Sequence, residues 1–432
     1  LDSDAASEAV RRSRGNPLFA LQQLHAWALA GNLEFVDGVY RVPPSVLAVR
    51  PQTTADLWDS RVEGVRAEHR LAAYAVAALG SDVRRSVMVP LLRAVGLQPH
   101  EAIVSLQNAE IILPRGPGRY TFPHALLQEH LLGRLRERPD AKRVFAAAAE
   151  ALTGHPLANT RRLIRLRVTN LLAAGQPDDA AELLFQFLQQ AWNGAREPIA
   201  TLADLEFLRG HLTGRSLALR HRWQAEALRH VGRSDDAVAH VEIARKIFLE
   251  VGDQESYAHT LRQLGHLASE RGSSAEGLTL VRQGLEIFAR MDHTLGMAQS
   301  EATAGEIEYL LGNYESARGC AQRAERHFAK LCQPLGRGQC LLLLSWLDHS
   351  EGATERSRRL TLEARSEFER AGYRLGIAQA NTSLAHVEHR LMNYHSAERG
   401  AQEALAAFET LRTPRGQAAC ERLLAMIALD TD

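Results

Sequence analysis

Histidine, cysteine, lysine and the carboxylates are where chemistry in this chain would have to begin. His386 and His389 stand three residues apart, a spacing that sets two imidazoles on one face of a helix, and His349 and His266 share their register earlier in the chain. The chemistry on offer is metal ligation, yet two neighbouring ligands do not make a four-coordinate zinc site, and no metal is expected. Cys320, Cys332, Cys340 and Cys420 contain no C-x-x-C pair and are expected to be free thiols. A phosphate loop requires a lysine directly after glycine, so that its ammonium reaches the terminal phosphates while backbone amides wrap the others. None of the lysines, Lys142, Lys246 and Lys330, follows a glycine. The H-E-x-x-H and G-x-S-x-G patterns are missing too, as is any Cys–His dyad spacing. No catalytic residue and no cofactor are therefore expected in this chain. It reads as a non-enzyme whose work is recognition.

The 432 residues, 45% of them hydrophobic, can build about three cores at ~150 residues per domain. Lys+Arg and Asp+Glu both number 51, so no global basic field draws the chain to nucleic acid or to an anionic membrane. The longest apolar stretch, residues 71–79, is too short to span a bilayer, and the first residues carry no signal-peptide pattern. A cytoplasmic location without a membrane partner is expected. Leu1 in place of Met fits a fragment of a longer protein.

The elements that would position a recognition surface come from an internal repeat. Phenylalanine falls at Phe248, Phe288, Phe328, Phe368 and Phe408, a strict period of 40. Small residues keep the same register at Ala225, Gly265, Gly305, Ser345, Ala385 and Ala425, and again at Ala237, Gly277, Ala317, Ser357 and Ala397. Gly232, Gly272, Gly312 and Gly352 mark helix ends, with Met392 in the next slot, and a second glycine set recurs at Gly296, Gly336, Gly376 and Gly416. The pattern predicts two helices and a tight turn per repeat, with small residues where backbones approach and phenylalanine as the wedge. A degenerate earlier unit shows at residues 171–180, and an extra helical segment at 199–212 interrupts the array.

The front third is different. Phe35-Val36-Asp37-Gly38-Val39-Tyr40 predicts a hairpin, because Asp-Gly suits the left-handed angles of a two-residue turn. Helices are expected over 55–79, 87–95 and 101–108, then a second hairpin from Ile111 to Phe122 across Arg115-Gly116-Pro117-Gly118, then a helix over 125–136. Three helices followed by a hairpin is a winged-helix outline. The expected divisions are 1–54 (helical lid with a hairpin), 55–137 (winged-helix-like), 138–215 (linking helices) and 216–432 (solenoid).

The repeat columns resemble tetratricopeptide repeats, with a period longer than the usual 34, and imply a right-handed α-α superhelix behind the mostly helical front region. Two segments ahead of it resemble parts of the signal-transduction ATPases with numerous domains, the STAND class of maltose-regulator-like and large LuxR-type bacterial activators. Arg14-Gly15-Asn16-Pro17-Leu18-Phe19 is similar to that family's Gly-x-Pro motif, whose proline packs on the adenine. Tyr120-Thr121-Phe122-Pro123-His124-Ala125-Leu126-Leu127-Gln128-Glu129 is similar to the winged-helix segment whose histidine reaches the β-phosphate. The resemblance implies that Pro17 and His124 meet ATP or ADP only together with an upstream nucleotide-binding domain, that this domain is a partner, and that the intact parent is an ATPase. Transcriptional control is the implied output; a regulatory arm of a bacterial kinase or cyclase, or a freestanding adaptor, is the alternative.

DNA contact is not expected, since residues 99–108, in the place of a recognition helix, hold no Arg or Lys. Arg115 and Arg119 read as a solvated tip. The candidate binding face is instead the groove lined by the first helix of each repeat. Read from positions around the small column, its wall comprises Arg222, Glu226 and Arg229, then Arg262, His266 and Ser269, then Glu306 and Tyr309, then Trp346 and His349, then His386 and His389. Tryptophan, tyrosine and arginine dominate binding energies at interfaces, which suits a protein, peptide or small inducer.

Overall fold

A computed structural model describes residues 1, 3–13, 17–29, 31–36, 38–43, 45–46, 54–194, 197–411 and 413–431. The chain divides into two units, Leu1–Leu183 and Leu184–Asp432.

In the first unit α1 (Ser3–Ser13) and α2 (Pro17–Leu29) precede a hairpin of β1 (Glu34–Val36) and β2 (Val39–Arg41). Val36 faces Val39 across the turn and Gly38 has φ +81°, the left-handed angle for which glycine is suited. The continuous helix expected over 55–79 is instead α3 (Thr54–Glu63), a 3-10 turn (Ala67–His69) and α4 (Arg70–Ala77). Arg66 breaks it with an extended backbone, φ −49° and ψ 134°, just after Gly64. β3 (Asp82–Arg84), α5 (Arg85–Ala94), α6 (Pro99–Asn108), β4 (Leu113–Gly116) and β5 (Arg119–Thr121) follow, and the strands join in the order β3-β5-β4, all antiparallel. β3 is an addition to the sequence reading. Arg119 is no solvated tip: its guanidinium donates to Asp82 at 3.0 Å across β3 and β5.

α7 (Ala125–Arg136), α8 (Ala141–Ala151) and α9 (Arg161–Ala173) complete that core. Gln128 and Asn170 donate their amides to the carbonyls of Ala77 and Ala78, each at 2.9 Å. They satisfy acceptors that the end of α4 leaves open. α10 (Pro177–Gly194) spans the division of the units.

The second unit opens with α11 (Pro198–Leu205), which packs on α12 (Gly214–His230). Helices of equal length then alternate: α13 (Ser234–Glu250), α14 (Gln254–Glu270), α15 (Ser274–Arg290), α16 (Thr294–Leu310), α17 (Tyr314–Lys330), α18 (Pro334–Ser350), α19 (Thr354–Arg370), α20 (Arg374–Arg390) and α21 (Tyr394–Thr410), closed by α22 (Pro414–Thr431). They pack as successive pairs, the mostly helical tetratricopeptide-type class read from the repeat.

Each recurring column has a physical task. The five wedge phenylalanines are at most 4% exposed. A Cβ added to Gly336 would lie 2.5 Å from the Phe328 ring, and one on Gly376 2.6 Å from Phe368, so the second glycine set exists to admit the ring of the repeat before it. Gly265 and Gly277 bring two backbones together, since a Cβ on the first would meet the carbonyl of the second at 2.5 Å. In repeat four the same crossing is made by Ser345 and Ser357, whose hydroxyls lie 3.0 Å apart. Ala425, in the same column on α22, is exposed. At the turns the amide after the left-handed residue bonds back five residues, as in Ala353 to Asp348 (2.8 Å) and Gln333 to Phe328 (2.9 Å), which is a Schellman cap. Met392 occupies its slot at φ +60° without being glycine.

Two expectations follow from this packing. Phe328→Ala should cost roughly 3–5 kcal/mol and Gly336→Ala roughly 1–3 kcal/mol. Because the added methyl collides with the ring that the first change removes, the double variant should lose much less than the sum; additive losses in chemical denaturation would refute the contact. The second concerns pH. The Nδ1 atoms of His221 and His240 lie 2.7 Å apart with the rings stacked at 4.9 Å, so a single proton bridges them. Burial, then His240 and Arg220, push His221 down to about 4, and burial, then Arg220, lowers His240. The unfolded chain, with histidines near 6.5, binds more protons than the folded one below that pH. The stabilisation is thus complete above about 6.5 and fades as pH falls toward 4. Melting temperature should drop between pH 7 and 5, and His221→Gln should flatten that slope; an unaltered slope would remove this pair as its source.

Candidate functional site

The wall forms because the first helix of each repeat keeps a partly exposed stripe beside its buried small column. Around the small column the neighbouring positions are buried, while Arg222, Glu226 and Arg229, Arg262 and His266, Glu306 and Tyr309, His349, and His386 and His389 stay partly exposed. Trp346 is the most open of them, at 38%. First helices of adjacent repeats touch directly (α12 with α14, α14 with α16, α16 with α18, α18 with α20), so the stripe continues from repeat to repeat. Ser269 does not belong to it: the residue is buried and its hydroxyl pairs with Ser274 at 3.1 Å.

The structure brings the anticipated residues together in order. Arg229 donates to Glu226 at 3.0 Å and to Glu270 at 3.1 Å. Burial disfavours its charge, but the two carboxylates more than offset that and hold its pKa above the usual arginine range. Burial alone would raise Glu226, yet Arg229 and His230 keep it well below the ordinary carboxylate range. His266 stands between Glu270 (3.7 Å) and Glu306 (3.6 Å). Glu226, Arg229, Arg262 and His266 line one small pocket, with Gln263 between them.

Farther along, the rings of Tyr309 and Trp346 lie 6.2 Å apart, and the Trp346 indole N–H donates to Ser383 at 2.8 Å. That bond, which spacing could not reveal, fixes the ring as a plane rather than leaving it to swing. Burial, then His349, pushes His386 down to about 4, so it is neutral at pH 7. His389 Nε2 lies 2.8 Å from Asp430 of α22. Among the described residues no three His, Cys, Asp or Glu side chains converge as a metal site.

Sequence reasoning passed over a column just beneath the wall. Glu308 (3% exposed), Asp348 (0%) and Glu388 (6%) are held by arginines of the preceding repeat's second helix: Arg282 at 2.8 Å, Arg318 at 2.7 Å and Arg358 at 2.7 Å. Asn313 and Asn393 also donate to Glu308 and Glu388 at 2.8 Å. The signal was present in the same 40-residue register, where these acids, asparagines and two of the arginines recur.

In the first unit, Pro17 is exposed at the first turn of α2, and residues 14–16 of its motif lie outside the described residues. His124 is the N-cap of α7, half-buried, with extended backbone (φ −143°, ψ 140°). Its carbonyl accepts from Leu127 at 3.2 Å, while its imidazole makes no hydrogen bond or ion pair among the described residues. Pro17 and His124 thus sit on separate elements of the unit.

The wall and the wedge should separate on mutation. Trp346→Ala removes a half-exposed ring and should cost about 1 kcal/mol, against several for Phe328→Ala. Equal losses in thermal unfolding would make Trp346 a packing residue and not part of the wall.

No family model matches the chain, and no curated protein matches it. Among solved structures, a STAND protein with a tetratricopeptide repeat sensor from Pyrococcus horikoshii aligns over 99% of this chain with a TM-score of 0.69 at 14% identity. The chain spans 63% of that protein's length. A Rap protein in complex with competence and sporulation factor aligns over 68% of this chain and 84% of its own, with a TM-score of 0.48 and 14% identity. A Rap conjugation gene regulator of the plasmid pLS20, in complex with the Phr* peptide, covers 83% of this chain and 97% of its own at 0.42 and 13%. Over that aligned part, this chain shares the fold of the STAND protein with its tetratricopeptide repeat sensor.

Proposed function

We propose that this chain is the ligand-sensing and protein-interaction region of a STAND-type signalling ATPase that acts in transcriptional control in the cytoplasm, and that it has no catalytic site of its own. The observation that carries the reading is the continuous half-exposed stripe on the first helices, from Arg222 to His389, in a chain with the STAND sensor fold. A packed array needs small and apolar columns between its helices; it does not need three arginines, a run of histidines and a Tyr–Trp pair on the remaining face. A protein, peptide or small inducer laid along that face would bury the Trp346 plane and meet polar groups from several repeats at once.

The front unit supports the switch half of the reading. The order α4, β3, α5, α6, β4, β5 is helix, strand, two helices and hairpin, which supports reading this part as a winged helix, and α6 has no Arg or Lys to turn toward DNA. His124 suits a phosphate: its imidazole has no partner among the described residues, and α7 carries no acid in its first turn to repel an anion. Pro17 is exposed and offers an apolar contact for a base. The bound nucleotide would supply the energy of the switch; His124 would orient and donate to its phosphate. Release of that contact on ligand binding to the repeats would pass the signal on.

Titration of the intact parent with ADP, comparing wild type with His124→Ala, tests this. Affinity should fall about tenfold, the loss of one charge-assisted hydrogen bond, and basal output should rise. Unchanged affinity and unchanged output would favour a freestanding repeat adaptor.

A further inference from the structure

Most charged side chains of the wall are spoken for, and two are not. Arg222 on α12 and Arg262 on α14 occupy the same position of successive repeats. Among the described residues neither makes a hydrogen bond or an ion pair, and the Arg262 Nε is shielded from solvent with no acceptor. The acids around them are engaged elsewhere. Asp253 accepts from Arg215 at 2.7 Å and from the Ser256 amide at 3.0 Å; Glu226 is held by Arg229, His230 and Gln263; Glu306 lies against His266. Half-buried cations without acceptors, one of them with its Nε shielded from solvent, are costly unless something anionic completes them.

We propose that Arg222 and Arg262 form a carboxylate-binding site at the first-repeat end of the wall, and that the partner is a peptide whose carboxylate docks there. The proposal rests on the wall being the binding face. Two planar guanidiniums on adjacent helices can each present a fork of N–H donors to one carboxylate. The electrostatics agree: burial, then the neighbouring Arg262, bring Arg222 down to about 10, and burial lowers Arg262 as well. His259, one turn before Arg262, is held well below its ordinary range by burial, then by Arg222, Arg262 and His293. An anion between the arginines would relieve all three groups.

The site is confined to two repeats. In later repeats the same position is Ala302, Leu342 and Thr382, so the arginine pair does not extend along the wall. Glu226, Glu270 and Glu306 flank it instead. A polyanion such as nucleic acid would meet those carboxylates, whereas a single anionic group followed by neutral residues would not. The wall beyond offers such residues the Tyr309–Trp346 pair.

The test has two arms. In the first, the His259 imidazole is titrated by NMR in the whole chain, with acetate, phosphate or chloride at equal ionic strength. Acetate should raise the His259 pKa by at least half a unit over chloride, and Arg222→Gln or Arg262→Gln should abolish the difference. No difference between acetate and chloride, or a response to phosphate alone, would overturn the proposal. In the second arm, random hexapeptide libraries are selected on the protein with free C-termini, with amidated C-termini, and with amidated C-termini lacking Asp and Glu. Enrichment should appear in the first library and vanish in the third. In the second, loss assigns the terminal carboxylate, and retention assigns a side chain. Enrichment in the third library would overturn the site. Selected peptides should bind at least tenfold more weakly to Arg222→Gln and to Arg262→Gln. Binding weakened only by Trp346→Ala would remove the carboxylate site and leave the wall standing; binding unmoved by any of the three would remove both.

Discussion

A phenylalanine ring set against a glycine of the following repeat is the contact on which the second unit depends. The ring cannot be buried within its own pair of helices, since the atoms it lies on belong to the first helix of the next pair. Stability is therefore shared between neighbours and not held by any single repeat. The same residue also sets the turn: the carbonyls of Phe248, Phe288, Phe328, Phe368 and Phe408 each accept the amide that closes the second helix. One side chain and its own backbone thus fix both the spacing of adjacent repeats and the angle at which the chain re-enters.

This coupling explains what was legible in the sequence. Glycine opposite phenylalanine, and small opposite small at the helix crossings, are exclusion rules: any larger residue would collide, so the columns survive as letters. Features set by attraction left a fainter trace. Glu308, Asp348 and Glu388 look like solvent-facing residues of amphipathic helices until arginines of another repeat are seen to reach over them. β3 is three residues long and draws its identity from β5, far away in the chain. The break after Gly64 depends on one backbone angle at Arg66, which an apolar period running through both α3 and α4 conceals.

The wall was legible as a set of positions and not as a set of chemical states. Periodicity alone put Arg222, Arg229 and Arg262 on one face. It could not distinguish Arg229, engaged by Glu226 and Glu270, from Arg222, which is not, because that difference lies in which rotamers meet. Trp346 is the same kind of case: its position followed from the repeat, but its rigidity comes from Ser383 in the next one. The front unit behaves oppositely. Its motifs are short and local, so Pro17 and His124 could be singled out by letters alone, while the elements carrying them had to be seen.

The two kinds of column divide the work of each first helix. Facing its neighbours, every position is constrained by a ring, a backbone crossing or a buried carboxylate. Facing the groove, no such contact exists, so residue type there is unconstrained by the array's stability. The buried acid column sharpens this division. By drawing Arg318 and Arg358 to the joints between repeats, it pairs off cations that would otherwise give every repeat the same field. What remains exposed differs from repeat to repeat: paired cations at the front, an aromatic plane in the middle, histidines behind. A repeating backbone with a non-repeating face can bind an extended ligand in one register only, because sliding by one repeat would bring each of its groups against the wrong chemistry.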